Sequence, residues 1–444
     1  MHKVSVCTFS NGEKYPMLTH ANGLPDFWVT MYVTACLRMS HTASSIENTI
    51  RNILHLKRWE AIENRDLISE ITDGRLLSNE DIHSLRDHCL LEVKSLQYIN
   101  KKKISNNVTE ISLANPNAIS TFSTVGKVHY SHRLNHIASF IEFCANAILN
   151  RHPNYKELRQ EIDSCCSKLK KQASKVKVSK KNAAQRNYRA PPPEVFDKFM
   201  EIVNEKHPDN PYPKHDTRFR NAVMFELMFE TGMRSGELLS LKVADLDFHA
   251  SKISIKRNHD DPYDPRSRQP VAKTQERDLF LPIELTRRLE TYIMEFRSKV
   301  KNANKHPFIF VSHRKGKFEG RPTTDTNFRI NILGFAKSKF PDVFYEITRH
   351  GFRHNFNHIL SLKIDERNRF VRENPKDAKK DGLKLISEKE EIQIRKRLNG
   401  WLSDDTAQTY TLRFVHKIAD DFMMEDMKEQ SGLMRGSYNN VKTQ

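Results

Sequence analysis

Apolar residues recur at helical spacing through much of the first 150 positions. The segment DFWVTMYVTACLRM carries apolar side chains from Phe27 to Met39. In SHTASSIENTIRNILHLKRWEAIE, Ile46, Ile50, Ile53, Leu54 and Leu56 form one apolar face behind Thr42 and Ser45. A third helix is expected over SNEDIHSLRDHCLLEV, where Ser78 can cap and Asp81 meets the positive end of the helix dipole. The pattern breaks in an Asn/Ser/Thr-rich stretch over 105–123, then resumes with Leu134, Ile137, Ile141 and Ala145 along another face. The first 25 residues are mixed and turn-rich, and no element is assigned to them.

After three prolines at 191–193 the pattern changes character. RNAVMFELMFETGM and SGELLSLKVADLDF read as helical, KISIKRN and RDLFLPI as short strands on either side of the polar loop 260–270, and PFIFVS as a further strand. Helices return at TNFRINILGFAKSKF and TRHGFRHNFNHILSL. The expected fold is a mainly α N-terminal domain plus a mixed α/β domain holding a small antiparallel sheet. Its parts are an extension (1–25), a helical domain with a long internal loop (26–167), a basic linker (168–193), a mixed α/β domain (194–425) with a charged insertion at 361–397, and a tail (426–444).

Charge sharpens this outline. The 444 residues hold 73 Lys plus Arg against 55 Asp plus Glu, a net charge of +18 that favours a polyanionic partner. Nine basic and no acidic residues fall in 168–189. A solvated linker explains such a run, but between two domains a phosphate-tracking strap is the slightly better reading, with Lys175, Lys177, Lys180 and Lys181 as candidate DNA contacts. The six cysteines lack CxxC spacing and read as reduced structural thiols. Neither a run of 18 apolar residues nor a secretory leader is present, so the expectation is a soluble, cytoplasmic, DNA-associated protein without a membrane partner. GxGxxG and GxxxxGK[ST] are absent, which removes the usual support for hydride transfer and P-loop ATP hydrolysis.

Four segments carry the candidate chemistry: TGMRSGELLSL around Arg234, VAKTQERDLFLP around Lys273, TRHGFRHNFNHIL with His350 and Arg353, and NGWLSDDTAQTYTLRF with Trp401 and Tyr410. Together they resemble the tyrosine recombinase, or phage integrase, family over most of residues 194–414, and more weakly the helical stretch 28–150 resembles that family's core-binding domain. The resemblance implies Arg234 as the first arginine, Lys273 as the strand-borne lysine, His350 and Arg353 as the HxxR pair, Trp401 at a position usually held by His, and Tyr410 as the nucleophile. It further implies a 3′-phosphotyrosine, a free 5′-hydroxyl and no cofactor. The long loop before Lys273 and the 37 strongly charged residues 361–397, twelve basic and eight acidic, depart from the family pattern. They could place Lys273 or Tyr410 on unusually mobile elements.

Side-chain properties suit this assignment. Two guanidinium groups can donate paired hydrogen bonds to a phosphodiester as charge develops on its oxygens. A phenol with an unperturbed pKa near 10 needs help to attack. Lys273 is the leading general acid for the 5′ oxygen; His350 can exchange a proton or orient the phosphate, whereas Trp401 offers only an indole N–H. Glu237, three residues after Arg234, is placed to orient it, with a plain helix salt bridge nearly as good an explanation. His354 reads as a support for the active-site helix and His358 as a packing or surface residue. The 350/354/358 spacing lacks the companions of a zinc site, so no metal is assigned.

The resulting expectation is a clamp on duplex DNA that recombines specific sites, commonly as four protomers, with an accessory directionality protein as a further partner. A type IB topoisomerase-like nicking and rejoining enzyme is the alternative, and a catalytically inactive DNA-binding regulator a third reading. Phe414, Val415, Ile418 and Phe422 form an apolar face suited to packing on the same domain or on a neighbouring protomer.

Overall fold

The computed structural model describes residues 2–96, 123–174, 191–408, 410–411 and 423–424. It divides into two compact units, Met1–Ala183 and Ala184–Gln444. The strap lysines Lys175, Lys177, Lys180 and Lys181 and the apolar tail positions Phe414, Val415, Ile418 and Phe422 lie outside the described residues, as does most of the loop 105–123.

The first unit opens with a hairpin that the sequence reading did not assign: β1 (Lys3–Thr8) pairs antiparallel with β2 (Lys14–Thr19). Pro16 obscures β2 in the sequence, yet a two-stranded ribbon has two edges and tolerates the missing donor. Helices follow: α1 (Phe27–Tyr32), α2 (Ala43–Glu63), α3 (Leu67–Thr72), α4 (Asn79–Leu90), α5 (Lys127–Leu149) and α6 (Tyr155–Ser174). The Thr42 side chain caps α2 through Ser45 N–H, and Ser78 and Asp81 form a reciprocal capping box on α4. Each cap contributes about 1 kcal/mol. Ile46, Ile50, Ile53 and Leu56 then bury against Leu134, Ile137 and Ile141 of α5. α6 runs through Ser174, because Leu169 and Ala173 continue its buried face into the core. All six cysteines are free thiols.

The second unit begins with α7 (Pro193–Val203), whose first residue is the last of the three prolines, then α8 (His215–Thr231) and α9 (Ser235–Ser240). β3 (Leu246–Asp247), β4 (Lys252–Ile255) and β5 (Arg277–Phe280) form an antiparallel sheet in that order. PFIFVS is not a strand: Phe308 and Val311 make only single bridges, to Lys242 and Pro322. Burial of Phe308, Ile309, Phe310 and Val311 explains the apolar run equally well. The polar loop before β5 is packed, with Arg266 bonding the Asp264 carboxylate and the carbonyls of Leu239 and Thr323.

The charged stretch 361–397 is mostly helical. It continues α10 (Arg349–Glu373), passes through α11 (Pro375–Lys380) and ends in α12 (Glu388–Asn399). Thr348 caps α10 through Gly351 N–H at 2.9 Å. Phe352 seats the same turn among Phe196, Phe199 and Phe225, with ring centroids 5.2, 5.8 and 5.8 Å away. Among the described residues no helix is long and apolar enough to cross a membrane.

Candidate active site

Two left-handed glycines build the floor of the site. Gly232 ends α8 at φ 61°, where an added Cβ would fall 2.6 Å from the Phe356 ring. Gly400 ends α12 at φ 65°, against Arg277, Gln275 and Thr274. Both turns aim carbonyls at one side chain. Arg353 Nη1 donates to Gly232 O at 3.1 Å and Nη2 to Asn399 O at 2.6 Å. Only 1 % exposed, Arg353 has its pKa depressed from 12.5 to about 9 by burial and then by Arg234, which leaves it cationic at neutral pH.

Arg234 lies immediately before α9. Glu237 is fully buried one turn on and accepts from Arg234 N–H at 3.1 Å, with the Arg234 guanidinium 3.6 Å from its carboxylate. Closer partners of Glu237 are Arg277 Nη2 at 2.8 Å and Thr274 Oγ1 at 2.5 Å. Burial pushes the Glu237 pKa up, but Arg277, Thr274 and Arg353 outweigh it and hold the carboxylate below its usual range. Arg277 also donates to Leu398 O at 2.8 Å, and Gln275 N–H to Gly400 O at 3.0 Å, so the approach to β5 is stitched to the end of α12. Arg277 went unnoticed in the sequence. Its signal was the alternation of Arg277 and Leu279 on the inward face of β5, where a charge requires a buried partner.

Lys273 is not strand-borne; it stands four residues before β5 on the exposed approach loop, between buried Ala272 and Thr274. The reason is local: Thr274 turns in to Glu237, and the ladder begins only at Arg277.

Trp401, Tyr410, His350 and His354 do converge with the arginines. Arg353 Cζ lies 5.0 Å from the Trp401 ring, and Trp401 stacks on Tyr410 at 5.7 Å and 13°. Arg395 Cζ sits 5.2 Å from the Tyr410 ring. The His350 and His354 rings meet edge to face at 4.5 Å, and the Tyr410 hydroxyl is 2.7 Å from His354 Nδ1. Burial raises the phenol to about 12 despite the opposing pull of Arg353, Arg395 and Arg234. Desolvation, then Arg353, lowers His354, and desolvation with His354, Arg353 and Arg234 takes His350 down to about 4. Both imidazoles are therefore neutral at pH 7, and the His354 tautomer sets which of Tyr410 Oη and His354 Nδ1 donates.

Arg395 is the second residue that the sequence concealed, since it reads as one more charge in 361–397. It is fully buried and bonds Glu391 Oε1 at 2.7 Å, Asn357 O at 2.9 Å and Ser361 Oγ at 2.6 Å. The Asn357 and Asn399 amides exchange two bonds of 3.0 Å beside it. His350, His354 and His358 form no metal-sized cluster among the described residues.

The sharpest chemical feature is a set of unanswered donors. Arg234 Nη1, Arg353 Nε and Trp401 Nε1 are each shielded from solvent without a hydrogen-bond acceptor. Leaving a buried donor unpaired costs about 1–3 kcal/mol, more when it is charged. Buried N–H groups without acceptors, two of them on guanidinium groups, suit a tetrahedral oxyanion.

Comparison with known proteins finds similarity over part of the chain. A family model described as "Phage integrase family" matches residues 193–364. Over 151 residues the chain is 30% identical to Tyrosine recombinase XerD of Listeria monocytogenes serotype 4b (strain F2365), covering 33% of this chain and 43% of that protein. It is 26% identical over 162 residues to Tyrosine recombinase XerD of Halalkalibacterium halodurans, covering 36% and 46%. These matches span less than half of the relatives' length. Among solved structures, XerH site-specific recombinase bound to difH substrate, a pre-cleavage complex, aligns with 88% of this chain and 93% of its own at 15% identity and a TM-score of 0.41. Trp401 and Tyr410 fall beyond the family match, whereas Arg234, Lys273, His350 and Arg353 fall inside it. Over residues 193–364 the chain is thus similar to the phage integrase family, and over 151 residues to a tyrosine recombinase.

Proposed function

We propose that this protein recombines DNA at specific sites by cleaving and rejoining strands through Tyr410. The observation that carries the reading is the trio of buried donors without a hydrogen-bond acceptor, Arg234 Nη1, Arg353 Nε and Trp401 Nε1, gathered with a phenol. A scissile phosphate supplies their acceptors. Tyr410 Oη attacks phosphorus, its proton passes to His354 Nδ1, and the P–O5′ bond breaks. The leaving 5′ oxygen takes a proton from Lys273, whose ammonium has no ion-pair partner among the described residues. Glu237 and Arg277 orient Arg234, and His350 lines the phosphate. Because the phosphotyrosine preserves a phosphoester, an incoming 5′-hydroxyl reverses the step without nucleotide hydrolysis.

His354 thereby gains a role beyond supporting its helix. A histidine held below 6.5 is neutral at pH 7 and gains its proton only as pH falls through that lowered value. Cleavage should be level near neutrality and decline in acid below the ordinary histidine range. His354→Gln should slow single-turnover cleavage by about 10²–10⁴-fold and remove that acid limb. An unchanged pH profile in the variant would reduce His354 to packing.

Lys175, Lys177, Lys180 and Lys181 remain proposed phosphate contacts. Neutralising all four should weaken binding to cognate and noncognate duplexes alike and lower the salt slope by up to about 4. An unaltered slope would make the segment an inert linker.

Exchange between two sites, commonly by a tetramer, distinguishes a recombinase from a topoisomerase-like enzyme. Sequencing products from paired native sites should reveal exchanged flanks. Relaxation of supercoiled DNA by monomers, without exchange, would favour the alternative.

A further inference from the structure

The open end of the β1–β2 hairpin gathers three side chains that strand transfer does not use. Register pairs Lys3 with Thr19, so His2 and His20 come next on the two strands, and their ring centroids are 4.7 Å apart. The chain then reverses tightly: His20 N–H donates to Leu24 O at 2.8 Å, Thr19 bridges Pro25, and Asp26 N–H donates to Leu18 O at 2.8 Å. This turn returns Asp26 to the histidines.

The two oxygens of Asp26 have separate surroundings. Oδ1 accepts from Val29 N–H at 2.9 Å and caps α1. Oδ2 lies 3.8 Å from His2 Nε2 and 3.9 Å from His20 Nε2, beyond hydrogen-bond range for either. Asp26 is 6 % exposed, and His2 Nε2 is shielded from solvent without a partner. The three ligand atoms all lie within 4.8 Å of one another, and no other such group occurs among the described residues.

We propose that His2, His20 and Asp26 bind one zinc ion, with water as its fourth ligand. Two imidazoles and a carboxylate form an N₂O donor set that zinc accepts, at bond lengths of about 2.0–2.2 Å. Such bonds place tetrahedral ligands somewhat closer than the present separations, a change within reach of small side-chain rotations. The ion satisfies the orphaned His2 nitrogen and uses the Asp26 oxygen that the α1 cap leaves over, while Val29 N–H fixes the carboxylate from behind. Lys57 is a nearby cation that opposes binding, and its own ion pair with Glu60 at 3.0 Å offsets that charge. Occupancy would staple the hairpin to the start of α1, joining Leu18 and Val29, both fully buried.

The test uses the full chain without a polyhistidine tag. Titration with Co²⁺ should saturate at one equivalent with the strong visible absorption of a tetrahedral site, and Zn²⁺ should bleach it. His20→Ala and Asp26→Asn should each weaken binding by more than the about 10–100-fold lost with an outer-shell partner. The asparagine retains an oxygen for the Val29 cap, and circular dichroism checks the fold. His41→Ala, at an exposed histidine elsewhere in the unit, should bind like the parent. Failure of Co²⁺ to bind, or binding that survives both ligand substitutions in folded protein, overturns the proposal.

Discussion

Arg353→Lys should lower single-turnover cleavage by about 10²–10³-fold, the loss associated with one oxyanion donor, while noncovalent DNA binding changes little. The guanidinium spends Nη1 and Nη2 on the carbonyls of Gly232 and Asn399, which fixes its plane and leaves Nε free. A lysine ammonium cannot make that fork, and it forfeits the planar contact with Trp401. The two measurements separate the steps, since basic surface contacts elsewhere can hold DNA without engaging the reacting phosphate. Equal losses in binding and cleavage would mean that Arg353 mainly supports ground-state affinity.

Arg395→Met should destabilise the second unit by about 3–5 kcal/mol, because it removes the fully buried guanidinium that pairs with the fully buried Glu391 carboxylate. Removing both charges in Glu391→Leu/Arg395→Met should restore much of that loss, since two buried ions no longer need compensation. Denaturant unfolding measures both variants. The network reaches Tyr410 directly through the ring contact of Arg395, and Thr411 adds a 3.0 Å bond to Glu388 of α12. Even the refolded double variant should therefore cleave more slowly than the parent. A single variant as stable as the parent would contradict this account of α12.

Particular residues explain what could be read beforehand. Thr42 and Ser78 announced their helices because capping depends on a few adjacent positions, and Arg234, His350, Arg353 and Tyr410 stood in recognisable neighbourhoods. Arg277 and Arg395 did not, because a charged residue reads as surface until its buried partners, Glu237 and Glu391, are known to lie beside it. The same limit affected 361–397, where high charge concealed the inward face formed by Ser361, Ile364, Ile392 and Arg395. PFIFVS erred in the opposite direction, since complete burial gives a helix, strand or loop the same uninterrupted apolar run. Lys273 was located by motif but its strand was not, for ladder boundaries depend on where Thr274 and Arg277 find their partners.

The proposed chemistry places a transient phosphoester on one atom, the hydroxyl oxygen of Tyr410. A nicked suicide duplex carrying the native site, from which the short 5′-hydroxyl fragment diffuses away, should trap the chain as an SDS-resistant complex. Peptide mapping should then locate the nucleotide adduct on Tyr410, and Tyr410→Phe should form no complex while still shifting the same DNA. An adduct mapped to another residue, or an undiminished complex in the phenylalanine variant, would contradict the assignment.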